Sequence, residues 1–216
     1  MKKMLNKKTL IAILAALVLI VILFIVFFNK NDDNSGQIVG NESNQIKEKF
    51  LKDLPDLERQ VLENPNDAQA AMKLGVAKYA TGDVEGAREA YEQTININKE
   101  DSVAHNNLGN VYRDMGNYDK AIEEYLKAIE IEKKLTTPYL NLGSIYQYIL
   151  SKPEKAIGIY KQGIEANPDY VDLYNLLAGV YEKQGDLDNA KKYYEESLSI
   201  KADNPAAQNG LKRIAQ

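Results

Sequence analysis

The chain has 216 residues, with 27 Lys and Arg against 31 Asp and Glu, a formal net charge of −4, one His and no Cys. That composition leaves no disulfide framework or thiol chemistry, and neither a Gly-rich phosphate loop nor a metal-ligand cluster occurs in it, so nothing in the sequence supports an enzyme, a metal or a cofactor. From Asn44 onward acids outnumber bases by 28 to 22, a net charge near −6. A duplex-binding protein carries a basic stripe, so nucleic acid is not expected as a partner.

Residues 1–9 form a basic tail with Lys2, Lys3, Lys7 and Lys8. Residues 10–28, from Leu10 to Phe28, are 19 consecutive apolar residues, about 28 Å as a helix and enough for a bilayer core. The apolar run of a cleaved signal peptide is shorter, about 7–15 residues, and is followed by small residues. This one ends in Val26-Phe27-Phe28, so it is expected to be an uncleaved transmembrane signal anchor. With no Cys, a lipoprotein anchor is excluded. Four lysines before the span against Lys30 alone after it place the N-terminus in the cytoplasm by the positive-inside bias. The chain is thus expected to be single-pass in the plasma or inner membrane, with its remainder extracytoplasmic. Residues 29–43, rich in Asn, Asp, Ser and Gly, read as a flexible polar linker.

Residues 44–67 are expected to form N-terminal capping helices, one around Gln45 to Asp53 that stops ahead of Pro55 and one from Leu54 to Asn66. Four in-phase units follow, at 68–101, 102–135, 136–170 and 171–204, a period near 34 residues. Leu74-Gly75, Leu108-Gly109, Leu142-Gly143 and Leu177-Ala178 open the pattern. Next come Gly82, Gly116 and Gly185, then Ala87, Ala121, Ala156 and Ala190, then Tyr91, Tyr125, Tyr160 and Tyr194. Apolar residues within each unit fall at helical spacing, so each is two short amphipathic helices. Gly82-Asp83, Gly116-Asn117 and Gly185-Asp186 sit between them, where Gly takes a positive φ to end one helix and Asp or Asn caps the next. One hairpin leaves an apolar side that only its neighbour can cover, so stacking into a solenoid is obligatory. The third unit is one residue longer, and its Ser151 and Glu154 read as a capping box ahead of a first turn carrying Pro153. Residues 205–216 read as a C-terminal capping helix with Leu211 and Ile214 on its apolar side.

These columns resemble the tetratricopeptide repeat family, whose motif runs through a bulky residue, Leu-Gly, Tyr, Gly, Ala, Phe or Tyr, Ala and Pro. The departures are Ala178 and Thr94 in place of a Gly and an Ala, and Lys99, Lys133 and Ala202 where Pro168 alone keeps the closing Pro. The implied fold class is all-α, a right-handed α-solenoid of stacked helix-turn-helix units preceded by a single transmembrane helix. His105 shares the bulky column with Tyr139 and Tyr174 and reads as a packing residue.

In this family the first helices line a concave groove. The resemblance carries onto this chain a peptide-binding face of Asn106, Asn107, Asn110, Arg113, Asn141, Ser144, Tyr148 and Asn175. Asn107 and Asn141 project in register from successive helices, and an Asn amide offers a donor and an acceptor to an extended peptide backbone. The same residues also read as ordinary scaffold. Thr137, Asp172 and Leu176 stand where a carboxylate-clamping groove would carry basic residues, which disfavours a chaperone-tail receptor. The expected role is a membrane-anchored interaction scaffold that binds a peptide segment of a partner in an envelope assembly, secretion or maturation complex. The alternatives are a homo-oligomer that self-assembles through an exposed repeat end, and a cytosol-facing import or chaperone receptor.

Overall fold

The computed structural model describes residues 44–216. The expected basic tail (1–9), membrane anchor (10–28) and linker (29–43) lie outside the described residues. Among the described residues no helix is long and apolar enough to cross a membrane. All regular elements described are helices: α1 over residues 44–63, α2 Ala68–Thr81, α3 Val84–Ile97, α4 Ser102–Asp114, α5 Tyr118–Ile131, α6 Thr137–Ser144, α7 Pro153–Ala166, α8 Val171–Gln184, α9 Leu187–Ile200 and α10 Pro205–Ile214. The compact unit that carries the repeats begins at Asp53.

The repeat boundaries are set by local chemistry at each helix end. Asp67, Asp83, Asp101, Asn117, Asp186 and Asn204 occupy N-caps and accept from backbone N–H groups of the turns they start. Gly82, Gly116 and Gly185 have φ of 94°, 75° and 78°, a left-handed conformation in which glycine alone pays no Cβ penalty. From α2 to α10 each helix packs on the next in chain order, and among first helices α4 touches α6 and α8 touches α10. These contacts put first helices side by side along one face of the array, the face that the family resemblance makes the concave one.

The core is built on one exchange of volume repeated along the array. The Tyr91, Tyr125 and Tyr160 rings are buried against glycines of the first helix of their own unit. A Cβ on Gly75 would lie 2.6 Å from Tyr91 Cε1 and one on Gly109 2.7 Å from Tyr125 Cε1, and Gly143 stands in the same relation to Tyr160. Burying each ring contributes on the order of 2 kcal/mol, which the missing methyl makes possible. The fourth unit breaks the pattern and repairs it. Ala178 is buried where the glycine would be, and the Tyr194 ring lies against Gly210 of α10, where a Cβ would run into it.

A second column fixes the turns between units. Tyr139 OH donates to the Lys133 carbonyl at 3.0 Å and Tyr174 OH to the Pro168 carbonyl at 2.8 Å, each reaching back six residues. His105 takes the same place: its Nε2 lies 3.2 Å from the Lys99 carbonyl, and its Nδ1 lies 2.6 Å from Glu124 Oε2. The histidine is buried and has the packing role its column implies.

Two expectations are corrected. Helix α1 does not stop ahead of Pro55, since residues 44–63 are helical throughout. Pro55 is exposed, so water can serve the carbonyl that its missing N–H leaves free, and helix continues at the loss of one bond. Nor does a capping box open α7: its N-cap is Lys152, without a side-chain cap, and Ser151 takes φ 51°. Ser151 therefore does what Gly82, Gly116 and Gly185 do in their units. The extra residue of the third unit is taken up just before it by a π-helical turn, Ile145–Ile149, which continues α6. In the second and fourth units the residue five on from Tyr112 or Tyr181 donates to that tyrosine's carbonyl, Asn117 at 2.8 Å and Asp186 at 3.0 Å. In the third, Lys152 donates to the matching Tyr146 carbonyl from six residues on, at 2.7 Å. A π turn adds one residue without turning the following helix out of phase.

Candidate functional site

The concave face begins with polar side chains from α2, α4 and α6. Asn141 Nδ2 donates to Asn110 Oδ1 at 2.9 Å and lies 3.4 Å from Asn106 Oδ1. Asn110 Oδ1 also accepts from Tyr125 OH at 2.7 Å. Asn106 Nδ2 lies 3.4 Å from Asn107 Oδ1, and Asn107 Nδ2 has only the Met72 sulfur, at 3.8 Å. The asparagines thus form one network across α4 and α6. Asn106 is buried and serves that network from within, whereas Asn107, Asn110 and Asn141 are half-buried and border the groove.

Nearer the turn, Arg113 Nε and Nη2 both lie 2.9 Å from Asp114 Oδ1, and Tyr79 OH donates to the same carboxylate from α2. Burial, and then the bond to Asp114, push the Tyr79 phenol up to about 12. Arg113 is in this way neutralised by its neighbour. Ser144 is half-buried on the same face, one unit beyond Asn110.

The far end of the face has a different character. Tyr148 is 55% exposed, and Lys183 Nζ sits 4.2 Å from the centre of its ring, within reach of a cation–π interaction. Glu182 receives a bidentate bond from Arg213 of α10, Nε to Oε1 and Nη2 to Oε2 at 2.9 Å each, and a third bond from Tyr194 OH at 2.7 Å. Those bonds, Arg213 first, hold the Glu182 carboxyl below the usual glutamate range. Between α8 and α10 lies a hollow of about 500 Å³ lined by Tyr148, Asn175, Gly179, Lys183 and Asn209 among others. Both amide atoms of Asn175 are buried without a hydrogen-bond partner.

Of the eight residues expected on this face, Asn106, Asn107, Asn110 and Asn141 come together. Arg113 is held by Asp114 and Ser144 stands apart on the same face, while Tyr148 and Asn175 border the hollow further along. The sequence reading missed Arg213 and Asn209. The signal was available, because the 34-residue phase runs on into α10 and puts Arg213 in the column of Asn110, Ser144 and Gly179.

Family profiles described as "TPR repeat" match residues 75–115 and 109–149, and one described as "Tetratricopeptide repeat" matches residues 150–214. A curated relative, "Uncharacterized protein ycf37" of Pyropia yezoensis, is 34% identical over 61 residues. That stretch is 28% of this chain and 34% of the relative, so the chain spans about a third of the relative's length. Among solved structures, MamA is similar with a TM-score of 0.65 at 23% identity, over 73% of this chain and 92% of that one. YrrB, described as a TPR protein with an unusual peptide-binding site, is similar with a TM-score of 0.60 at 15% identity, over 80% and 89% of the two chains. At these identities the structural likeness establishes the fold.

Proposed function

This chain belongs to the tetratricopeptide repeat family, and from that premise we propose that it is a membrane-anchored interaction scaffold whose concave face holds an extended segment of a partner protein. The observation that carries the reading is the row of half-buried amides on that face. Asn141 Oδ1 and Asn107 Nδ2 keep hydrogen-bonding capacity that their neighbours in the network do not use, while the network fixes their orientation. A preformed groove lowers the ordering cost of the complex, because only the partner's segment has to be immobilised. The peptide-binding site described for YrrB supports the same use of the fold.

The anchor rests on the 19 apolar residues at 10–28 and the topology on the four lysines before them. With the repeats outside the cytoplasm, anchoring confines scaffold and partner to one surface and raises their effective concentration. Such a protein works by binding without turnover, in an envelope assembly, secretion or maturation complex.

The test has two arms. The full chain is immobilised in detergent and challenged with membrane and envelope extract beside Asn107→Ala/Asn141→Ala; a specific protein held by the native chain and lost from the variant supports the groove, and equal capture by both rules it out. For topology, Lys201→Cys gives this cysteine-free chain one exposed thiol. Labelling by an impermeant maleimide in intact cells, or in spheroplasts where an outer membrane exists, is expected; labelling only after lysis would turn the repeats to the cytosol.

A further inference from the structure

The concave face repeats its geometry at each step, but not its chemistry. At the step from α4 to α6, Asn106 and Asn110 meet the side chain of Asn141. The matching positions from α6 to α8 are Leu140, Ser144 and Leu176, and Leu140 and Leu176 are partly buried apolar residues packed on the core. From α8 to α10 the same positions hold Asn175, Gly179 and Gly210. The partner of Asn106 has there become a glycine, and so has its companion Asn110, while Asn106 itself is retained as Asn175. The outcome is an amide whose oxygen and nitrogen are both buried and unpaired, beside a hollow of about 500 Å³. Gly179 leaves that hollow open, since a Cβ there would meet only Tyr194 OH, at 4.0 Å.

Burying a polar amide without a partner is unfavourable, and natural folds supply one. Around this amide the charges are also uneven. Arg213 is matched by Glu182, whereas among the described residues Lys183 has no carboxylate partner and rests on the Tyr148 ring. We infer that the hollow between α8 and α10 is the anchoring subsite of the concave face, taking a main-chain amide of an extended partner segment on Asn175 and an acidic side chain of that segment on Lys183. The incoming amide takes the place that the Asn141 side chain fills two helices earlier, and Tyr148 flanks it with an exposed aromatic face. This inference rests on the peptide-holding role proposed above, and it adds an anchoring contact at the α10 end to the amides Asn107 and Asn141.

The test uses the full chain on an array of immobilised 12-residue peptides of random sequence, in four forms: native, Asn175→Leu, Lys183→Gln and Lys191→Gln. Asn175→Leu copies the residue that Leu140 supplies in the same column. The expected result is that peptides held by the native chain are enriched in Asp and Glu, that Asn175→Leu and Lys183→Gln each weaken their retention at least tenfold, and that Lys191→Gln, on the exposed side of α9, does not. Asn175→Leu should also raise the melting temperature, because it removes an unpaired buried amide. Gly179→Leu, which fills the hollow from the opposite side, should abolish retention even if Asn175→Leu misfolds. Peptides retained by both Asn175→Leu and Gly179→Leu would overturn the subsite and leave the rest of the groove as the working surface. A melting temperature lowered in Asn175→Leu with retention unchanged would show the amide served by a bound water, and would also overturn it. An array on which the native chain holds nothing would overturn both the subsite and the peptide-holding role.

Discussion

Asn141 Nδ2 stands 2.9 Å from Asn110 Oδ1, so two residues of the groove that could each meet a ligand are already bonded to one another across a repeat boundary. The pair stabilises the stacking of α6 on α4 and orients the amide that faces the groove. Asn141→Ala leaves Asn106 and Asn110 short of a donor and is expected to cost about 1–2 kcal/mol, read as a lower urea midpoint. Asn107→Ala, which gives up only a weak sulfur contact and the Asn106 bond, should cost less than about 1 kcal/mol. A loss of binding in the Asn107 variant is therefore the cleaner report on the groove.

Two glycines in comparable helices should respond in opposite directions to the same methyl. Gly109→Ala forces a Cβ to 2.7 Å from Tyr125 Cε1, and overpacking of this kind costs about 1–3 kcal/mol. Gly158 lies within α7 with nothing within 4 Å of its Cβ position. Gly158→Ala is expected to stabilise by about 0.5–1 kcal/mol through helix propensity. Thermal unfolding should separate the two by several degrees.

Ser151 holds φ 51° where the other turns have glycine. An L-residue in that conformation costs roughly 1–2 kcal/mol, part of which glycine returns through its freer unfolded chain. Ser151→Gly should therefore stabilise by up to about 1 kcal/mol, and Ser151→Val should destabilise, since a β-branched side chain tolerates this region least. Equal melting temperatures for the three proteins would contradict the left-handed turn.

Alkaline pH should unfold the array in a defined window. The Tyr79, Tyr112 and Tyr160 phenols are each pushed up to about 12 from an ordinary 10.0, burial being the largest cause in every case. Tyr91, Tyr125 and Tyr194 are raised as well, again chiefly by burial. A phenol with a raised folded pKa contributes its full stabilisation below pH 10, and that contribution is lost as pH rises through the folded value. Helix loss by circular dichroism and the rise of tyrosinate absorbance should coincide between pH 10 and 12. Tyrosinate appearing well before helix loss would mean that the rings are reached by hydroxide in the folded chain.

His105→Tyr should be tolerated and His105→Phe should not. The tyrosine can reach the Lys99 carbonyl as Tyr139 and Tyr174 reach theirs, while phenylalanine leaves both that carbonyl and Glu124 without a donor. A difference of about 1–2 kcal/mol in favour of tyrosine is expected from chemical denaturation.

What the sequence made legible was position. The 34-residue phase located every helix pair, each Gly turn and the packing role of His105, because those depend on spacing along one chain. Less legible was whatever depends on the group across an interface. The phase assigned Asn106 to the groove, yet Asn141 opposite it draws it into a buried network. It marked Ala178 as a departure from the motif, but not that Gly210, 32 residues later, gives the displaced Tyr194 ring a place. The extra residue of the third unit was countable, though a π turn followed by a left-handed serine and a capped turn have the same length. Pro55 signalled a helix end by its covalent geometry, and only its exposure explains why the helix continues.

The contact between Tyr194 and Gly210 limits how far the array is modular. A solenoid of interchangeable units can be lengthened or shortened at any joint, but here the last unit carries a methyl at Ala178 that its own tyrosine cannot share space with, and so it depends on the element that follows. Cutting the chain after Asn204 would leave a large aromatic side chain with no seat, and grafting a further repeat there would succeed only if the new helix offered a bare backbone at its sixth residue. Growth of this architecture by duplication is thus open at the joints between the first three units and closed at the last.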